Sequence, residues 1–181
     1  MIKIAVIVVS LRAKSWNKLL AKTLEDLLPG GYEFVYTDLN LPLFNQDLEN
    51  ILPVEVTALK NTIETADGIL IVTPEYNRSV PGVLKNAIDW ASRPFGQNSF
   101  KGKPSGIIGA SQGQTGTAQA QSHLRNSMIY LDTKLLGQPE LYISVNKTFD
   151  DNNILLDSSK DYLQKYIDTF IKHIETNKKV A

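Results

Sequence analysis

Short apolar runs alternate with amphipathic, helix-period stretches along the whole chain, and this alternation limits the fold more than any other feature. Segments 2–9, 32–37, 68–72, 105–110 and 140–145 read as strands. The first, third and fourth are nearly continuous apolar runs, the pattern of parallel strands covered on both faces. Between them, Leu20, Leu24, Leu27 and Leu28 mark one face of a helix whose other face carries Lys18, Lys22, Glu25 and Asp26. Leu163, Ile167, Phe170, Ile171 and Ile174 do the same for the last helix, opposite Lys165, Asp168, Lys172 and Glu175. Helices over 54–66, 81–92 and 115–131 complete five strand–helix units, and Pro81-Gly82 opens the third helix with a proline in its first turn. With 181 residues, no internal repeat and no linker, the chain reads as one domain. Strict βα alternation predicts an α/β fold: a doubly wound, five-stranded parallel sheet with helices on both faces.

Composition narrows the function. Lys+Arg and Asp+Glu balance at 19 each, so the basic excess that neutralises nucleic-acid phosphates is missing. The strong imbalance expected of a charge-steered electron carrier is missing too. Absence of cysteine removes disulfides, thiolate metal sites and thiol catalysis. The apolar run at 2–9 is too short to span a bilayer and lacks a basic leader and cleavage site. No membrane partner is expected, and a cytoplasmic location follows as the default.

In a doubly wound sheet, ligands bind beyond the carboxyl ends of the strands where strand order reverses, so the loops after strands one, three and four carry the functional reading. The first, Ser10-Leu11-Arg12-Ala13-Lys14-Ser15-Trp16-Asn17, brings hydroxyls, an amide and a guanidinium to a helix start. That set suits a phosphate, and it equally suits a polar loop in which Ser15 or Asn17 caps the helix. Neither the Walker pattern nor G-x-G-x-x-G occurs here. The second loop runs from Thr73 to Gly82 and is stiffened by Pro74 and Pro81. In it Tyr76 offers a flat wall beside Glu75 and Asn77 for a planar heterocycle, or a rigid turn with a half-buried aromatic. The third loop, 109–117, carries Gly109, Gly113 and Gly116, which let a ligand approach backbone N–H groups.

Gly109-Ala110-Ser111-Gln112-Gly113 also matches the nucleophile elbow of α/β hydrolases, with Asp157 or Asp161 and then His173 in hydrolase order. Against that reading, His173 lies on the charged side of the last helix. His123 follows Ser111 closely with Asp132 beyond it, in the wrong order, and Gln114-Thr115-Gly116 starts a helix poorly.

Taken together, the three loops resemble the NADPH-dependent FMN reductase family, the flavodoxin-like group that includes bacterial quinone, azo-dye and chromate reductases. The similarity covers nearly the whole chain. Its most specific stretch runs from Pro74 to Trp90, followed by Arg93-Pro94, with S-x-R-x-x-S-x-N in the first loop and Leu124-Arg125 in the fourth helix. The resemblance implies an NAD(P)H-dependent reductase passing electrons by a ping-pong mechanism to quinones, azo compounds, free flavin or chromate. The flavin would carry the chemistry, with no catalytic side chain and no metal. Ser10, Arg12, Ser15 and Asn17 would hold the FMN phosphate. Pro74, Glu75, Tyr76 and Asn77 would line the isoalloxazine, and Ser111 and Gly113 would meet its other edge.

A serine hydrolase and a non-enzymatic flavodoxin-type carrier stand as the alternatives. Family members are usually dimers or tetramers, and Tyr130 and Trp90 are the candidate subunit contacts. The chain departs from the family twice, with Val9 where glycine often precedes the first-loop serine and with Gly116-Thr117 where a Gly-Gly pair is common.

Overall fold

A computed structural model describes residues 1–178. Four strands form where the apolar runs lie: β1 (Ile2–Val8), β2 (Tyr32–Tyr36), β3 (Gly68–Val72) and β4 (Pro104–Ser111). Every residue of β3 is buried, as are Ile4 to Ile7 of β1, whereas the edge strand β2 buries only Phe34. The fifth position in the sheet is occupied by two short strands. β5 (Lys134–Leu135) pairs with Pro104 and Ser105, and β6 (Tyr142–Ser144) pairs with Gly109 to Ser111. Gly137-Gln138-Pro139 separates them, and proline has no N–H to continue a ladder. The expected strand over 140–145 is therefore shorter, and its companion at 134–135 carries too brief an apolar run to read. All pairings are parallel, in the order β2-β1-β3-β4-β5.

The helices α1 (Trp16–Asp26), α2 (Val54–Thr65), α3 (Gly82–Ala91), α4 (Ala118–Tyr130), α5 (Val145–Thr148) and α6 (Asp157–Asn177) cover both faces. Leu20 and Leu24 of α1 share a core with Leu163, Ile167, Phe170 and Ile174 of α6. On the other face, Leu59 and Ile63 of α2 pack with Leu84 and Ile88 of α3 and with Leu124 and Met128 of α4. The doubly wound arrangement follows directly from these two apolar layers.

Two details depart from the sequence reading, and a third, at Lys60, it did not address. Helix α4 begins at Ala118 because Gly116 before it takes φ +58°, outside the helical region. Trp90 is fully buried within its own chain, with Nε1 donating to Pro42 O at 2.8 Å and its ring edge-on to Phe44 at 5.0 Å, so it is no candidate subunit contact. Lys60, on the inner face of α2, donates to the carbonyls of Ala91, Arg93 and Gln97 at 3.2, 2.9 and 2.8 Å. Burial pulls its pKa below the ordinary lysine value, against the pull of Glu64. It anchors the segment that follows α3.

Candidate functional site

The loop between β1 and α1 is built around hydroxyls. Ser15 caps α1, its Oγ accepting from the N–H groups of Asn17 at 3.2 Å and Lys18 at 3.4 Å. Ser10 is buried, and its Oγ accepts from Arg12 N at 3.4 Å. Among the described residues, the N–H groups of Ala13, Lys14, Ser15 and Trp16 have no protein acceptor, and Arg12 has no carboxylate partner. Open backbone donors, a free guanidinium and the positive end of a helix form an anion cradle, which fits a phosphate monoester.

Asn17 plays a different part from its neighbours. It is buried, with Nδ2 donating to Ala110 O at 3.0 Å and Oδ1 accepting from Ala110 N at 2.9 Å. Both ends of its amide thus bond the end of β4, tying the first loop to the third.

The second loop closes on itself. Tyr76 and Ser79 exchange N–H···O bonds of 3.0 Å, with Asn77 at φ +52° and Arg78 at φ +62°. This is the geometry of a type I′ turn, which asparagine tolerates and arginine adopts only with strain. Glu75 reaches across to α4: Oε2 accepts from Gln119 N at 2.9 Å and Ala120 N at 3.2 Å. Thr117 supplies no side-chain cap, so Glu75 satisfies the helix start from a distant loop. Tyr76 is left half-exposed at the lip of the site.

The third loop is held by close packing. A Cβ on Gly109 would overlap Thr73 O and Thr117 Oγ1, and one on Gly116 would lie 2.5 Å from the carbonyl carbon of Tyr142. Thr117 is buried at φ −121° and accepts from Gln121 Nε2 at 3.0 Å. The second residue of the Gly116-Thr117 pair therefore has no need of glycine. Val9 is equally at ease: it is buried, and its N–H donates to Val72 O at 2.9 Å, extending the β1–β3 ladder. N–H groups of Gly113, Gln114 and Thr115 are open among the described residues.

The hydrolase constellation does not assemble. Ser111 Oγ donates to Gly116 O at 2.7 Å, inside its own loop. His173 Nε2 lies 2.6 Å from Lys134 O, beside the start of β4, whereas Ser111 ends that strand. His123 meets Ser79 Oγ at 3.1 Å, and Asp157 pairs with Lys160 at 2.8 Å. Ser111→Ala should consequently cost one ordinary hydrogen bond, about 1 kcal/mol. Reductase turnover should fall modestly; ester hydrolysis that is present in the parent and disappears in the variant would contradict this assignment.

The three loops meet in a cleft of about 140 Å³ at the carboxyl edge of the sheet. Ser10, Arg12, Ser15, Asn17, Pro74, Glu75, Tyr76 and Ser111 line it, joined by Trp16, Ala110 and Gln112. Asn77 and Gly113 are not among its walls: Asn77 forms the turn tip, and Gly113 is exposed on the third loop. Trp16 and Gln112 went unread because an aromatic at a helix start and a glutamine in a glycine-rich loop carry no pattern of their own.

A parallel sheet in the order β2-β1-β3-β4-β5, with its anion cradle after β1 and two further loops converging beside it, defines a flavodoxin-type cofactor-binding fold. Residues 2–148 match the model of the NADPH-dependent FMN reductases. A 2-hydroxy-1,4-benzoquinone reductase of Burkholderia is 51% identical over 172 residues, covering 93% of this chain and 94% of the relative. A quinone reductase of Pseudomonas putida is 38% identical over 180 residues, covering 98% and 97%. The solved structure of FerB, a flavoenzyme NAD(P)H:(acceptor) oxidoreductase from Paracoccus denitrificans, superposes with a TM-score of 0.93 at 41% identity, covering 99% and 100%. The chain belongs to the NADPH-dependent FMN reductase family. It is an NAD(P)H-dependent FMN oxidoreductase.

Proposed function

We propose that the chain passes reducing equivalents from NAD(P)H to small acceptors, quinones first among them, in two successive half-reactions. The convergence of three loops on one cleft carries the reading, supported by the quinone reductases among the relatives. FMN, when bound, supplies the centre that accepts hydride from the donor and returns it to the acceptor. Ser10, Arg12, Ser15 and the open N–H groups of the first loop hold its phosphate, with Asn17 fixing that loop to β4. Pro74, Glu75 and Tyr76 flank the ring on one side, with Asn77 at the tip of the turn beyond them. Ser111 flanks it on the other, with the open N–H groups of Gly113 and the residues after it beyond, where donors can stabilise negative charge. A cytoplasmic setting, with its supply of NAD(P)H, suits this role. Among the described residues, no helix is long and apolar enough to cross a membrane.

The purified protein should be yellow and release one FMN per chain. A colourless preparation that takes up no added FMN would refute the reading. Arg12→Ala should weaken FMN binding without unfolding the protein, because a hydrogen bond to a charged group contributes about 1.5–3 kcal/mol. The dissociation constant should rise by about ten- to a hundredfold; an unchanged value would move the phosphate away from Arg12.

Donor and acceptor must both reach the flavin ring at the same cleft, so the oxidised dinucleotide should leave before the quinone enters. Double-reciprocal plots should be parallel, and NAD(P)H alone should bleach the flavin absorbance. Intersecting lines would require both substrates to be held at once.

Self-association completes the proposal. Leu43, Ile51, Phe95 and Tyr130 are 84%, 83%, 89% and 87% exposed. The segments that carry them are joined by Asn86 Nδ2 donating to Pro42 O, by the Arg93–Glu49 ion pair and by Asn98 Nδ2 donating to Leu131 O. These neighbouring segments therefore present exposed apolar side chains of the kind subunit contacts cover. Sedimentation at micromolar concentration should report a dimer or tetramer, and a monomer would count against it.

A further inference from the structure

We infer that the cleft between the ends of β1 and β2 binds the ADP-ribose half of the nicotinamide donor. The inference rests on the reading just proposed, and it supplies what that reading lacks, a place for the donor's non-reacting half. The cleft has a volume of about 820 Å³, inside the range of about 300–1,000 Å³ usual for small-molecule sites.

Its position suits a dinucleotide. Ser10 lines both this cleft and the ring cleft, so the two lie side by side at the first loop. β1 and β2 are neighbours in the sheet, separated by about 5 Å. A donor with its nicotinamide at the ring cleft can thus pass its diphosphate alongside Lys18, outside the cradle that holds the FMN phosphate, and place its adenosine at the end of β2.

The chemistry of the walls matches that half of the molecule. Tyr36, 45% exposed, and Leu11, 56% exposed, present flat and apolar surface for a purine. Tyr36 is held in place by its hydroxyl donating to Glu25 Oε2 at 3.0 Å. Lys22 is occupied by Glu25 and Asp26, at 3.1 and 3.2 Å. Lys18, at the rim, has no carboxylate partner among the described residues and is the cation left for a diphosphate. Asp38 follows β2, with Oδ1 accepting from Asn40 N at 2.9 Å. Its Oδ2 has no partner among the described residues and is placed to accept ribose hydroxyls, as an acid at the end of a second strand does in dinucleotide folds. The same carboxylate repels a 2′-phosphate, so it favours NADH over NADPH.

Equilibrium binding of ADP-ribose to the FMN-loaded protein tests the inference. ADP-ribose should bind and compete with NADH. Lys18→Ala and Asp38→Ala should each weaken it about tenfold or more, with FMN content and the KM for a quinone unchanged. 2′-Phospho-ADP-ribose should bind the parent more weakly than ADP-ribose, and Asp38→Asn should close that gap. Failure of ADP-ribose to bind, or equal affinity in parent and both alanine variants, would overturn the site. A gap that is absent in the parent or survives Asp38→Asn would overturn the role of Asp38. A protein without FMN would instead refute the preceding reading, so the two failures are distinguishable.

Discussion

Gly109→Ala should destabilise the protein by about 3 kcal/mol, the upper end of what overpacking costs in an interior that cannot relax. The added Cβ would overlap the Thr73 carbonyl oxygen and the Thr117 hydroxyl, and it would stand 3.1 Å from the Thr73 carbonyl carbon. Relief by movement is blocked on both sides. β4 is paired with β3 along one edge and with β6 along the other, and Gly109 itself is in register with Tyr142. Thr73 N donates to Ile108 O at 2.9 Å, so the chain leaving β3 is pinned to the residue before the glycine.

Gly113→Ala is the matched control. Its nearest non-neighbouring atom would be Ser111 Oγ at 3.6 Å, an ordinary contact, and its stability should be unchanged within about 0.5 kcal/mol. Urea midpoints of the two variants measure the difference directly. Equal midpoints would show that the approach of Thr73 to β4 is looser than the structure has it. Thr73 leads into Pro74 and Glu75, so the Gly109 variant should also bind FMN more weakly, through displacement of the ring wall.

That glycine shows how the sequence can be legible and misleading together. Gly109 and Ser111 read as a nucleophile elbow, yet the glycine is set by the close passage of β3 and the serine bonds to its own loop. Apolar period revealed the strands and helices because burial on two faces leaves a one-dimensional trace in β1 and β3. The first loop was readable for a similar reason: Ser10, Arg12 and Ser15 are consecutive enough to form a local pattern.

Long-range ties leave no such trace. Glu75 caps a helix that starts 43 residues later, at Ala118, and Trp90 is covered by residues 42–44, far from its own helix in sequence. Lys60 sits on the inner face of α2 because the carbonyls it needs lie in the segment after α3. The interrupted fifth position of the sheet was hidden because two- and three-residue strands carry almost no periodicity.

Asn17 is the most consequential of these ties. Asn17→Ala should destabilise the protein by about 2–6 kcal/mol, since it leaves a buried N–H and a buried carbonyl of Ala110 without partners, at about 1–3 kcal/mol each. Both bonds are well formed, at 2.9 and 3.0 Å, and residue 17 is 2% exposed, so water has little access to replace them. The loss should reach the cofactor as well, because the same amide holds the phosphate loop against the loop that flanks the ring.

Asn17→Asp sharpens the test. The carboxylate can still accept from Ala110 N, but it cannot donate to Ala110 O and repels it. Burial and that carbonyl both favour the protonated acid, raising the folded-state pKa above the unfolded value. The variant's deficit should therefore shrink as pH falls through the folded-state pKa and grow as pH rises through it, opposite in sign to a salt-bridged aspartate. Urea unfolding of parent, Asn17→Ala and Asn17→Asp at neutral and mildly acidic pH, alongside FMN titration, gives every term. If the alanine variant lost FMN affinity at unchanged stability, the amide would be a ligand to the phosphate, and its bonds to Ala110 would not be what holds the two loops together.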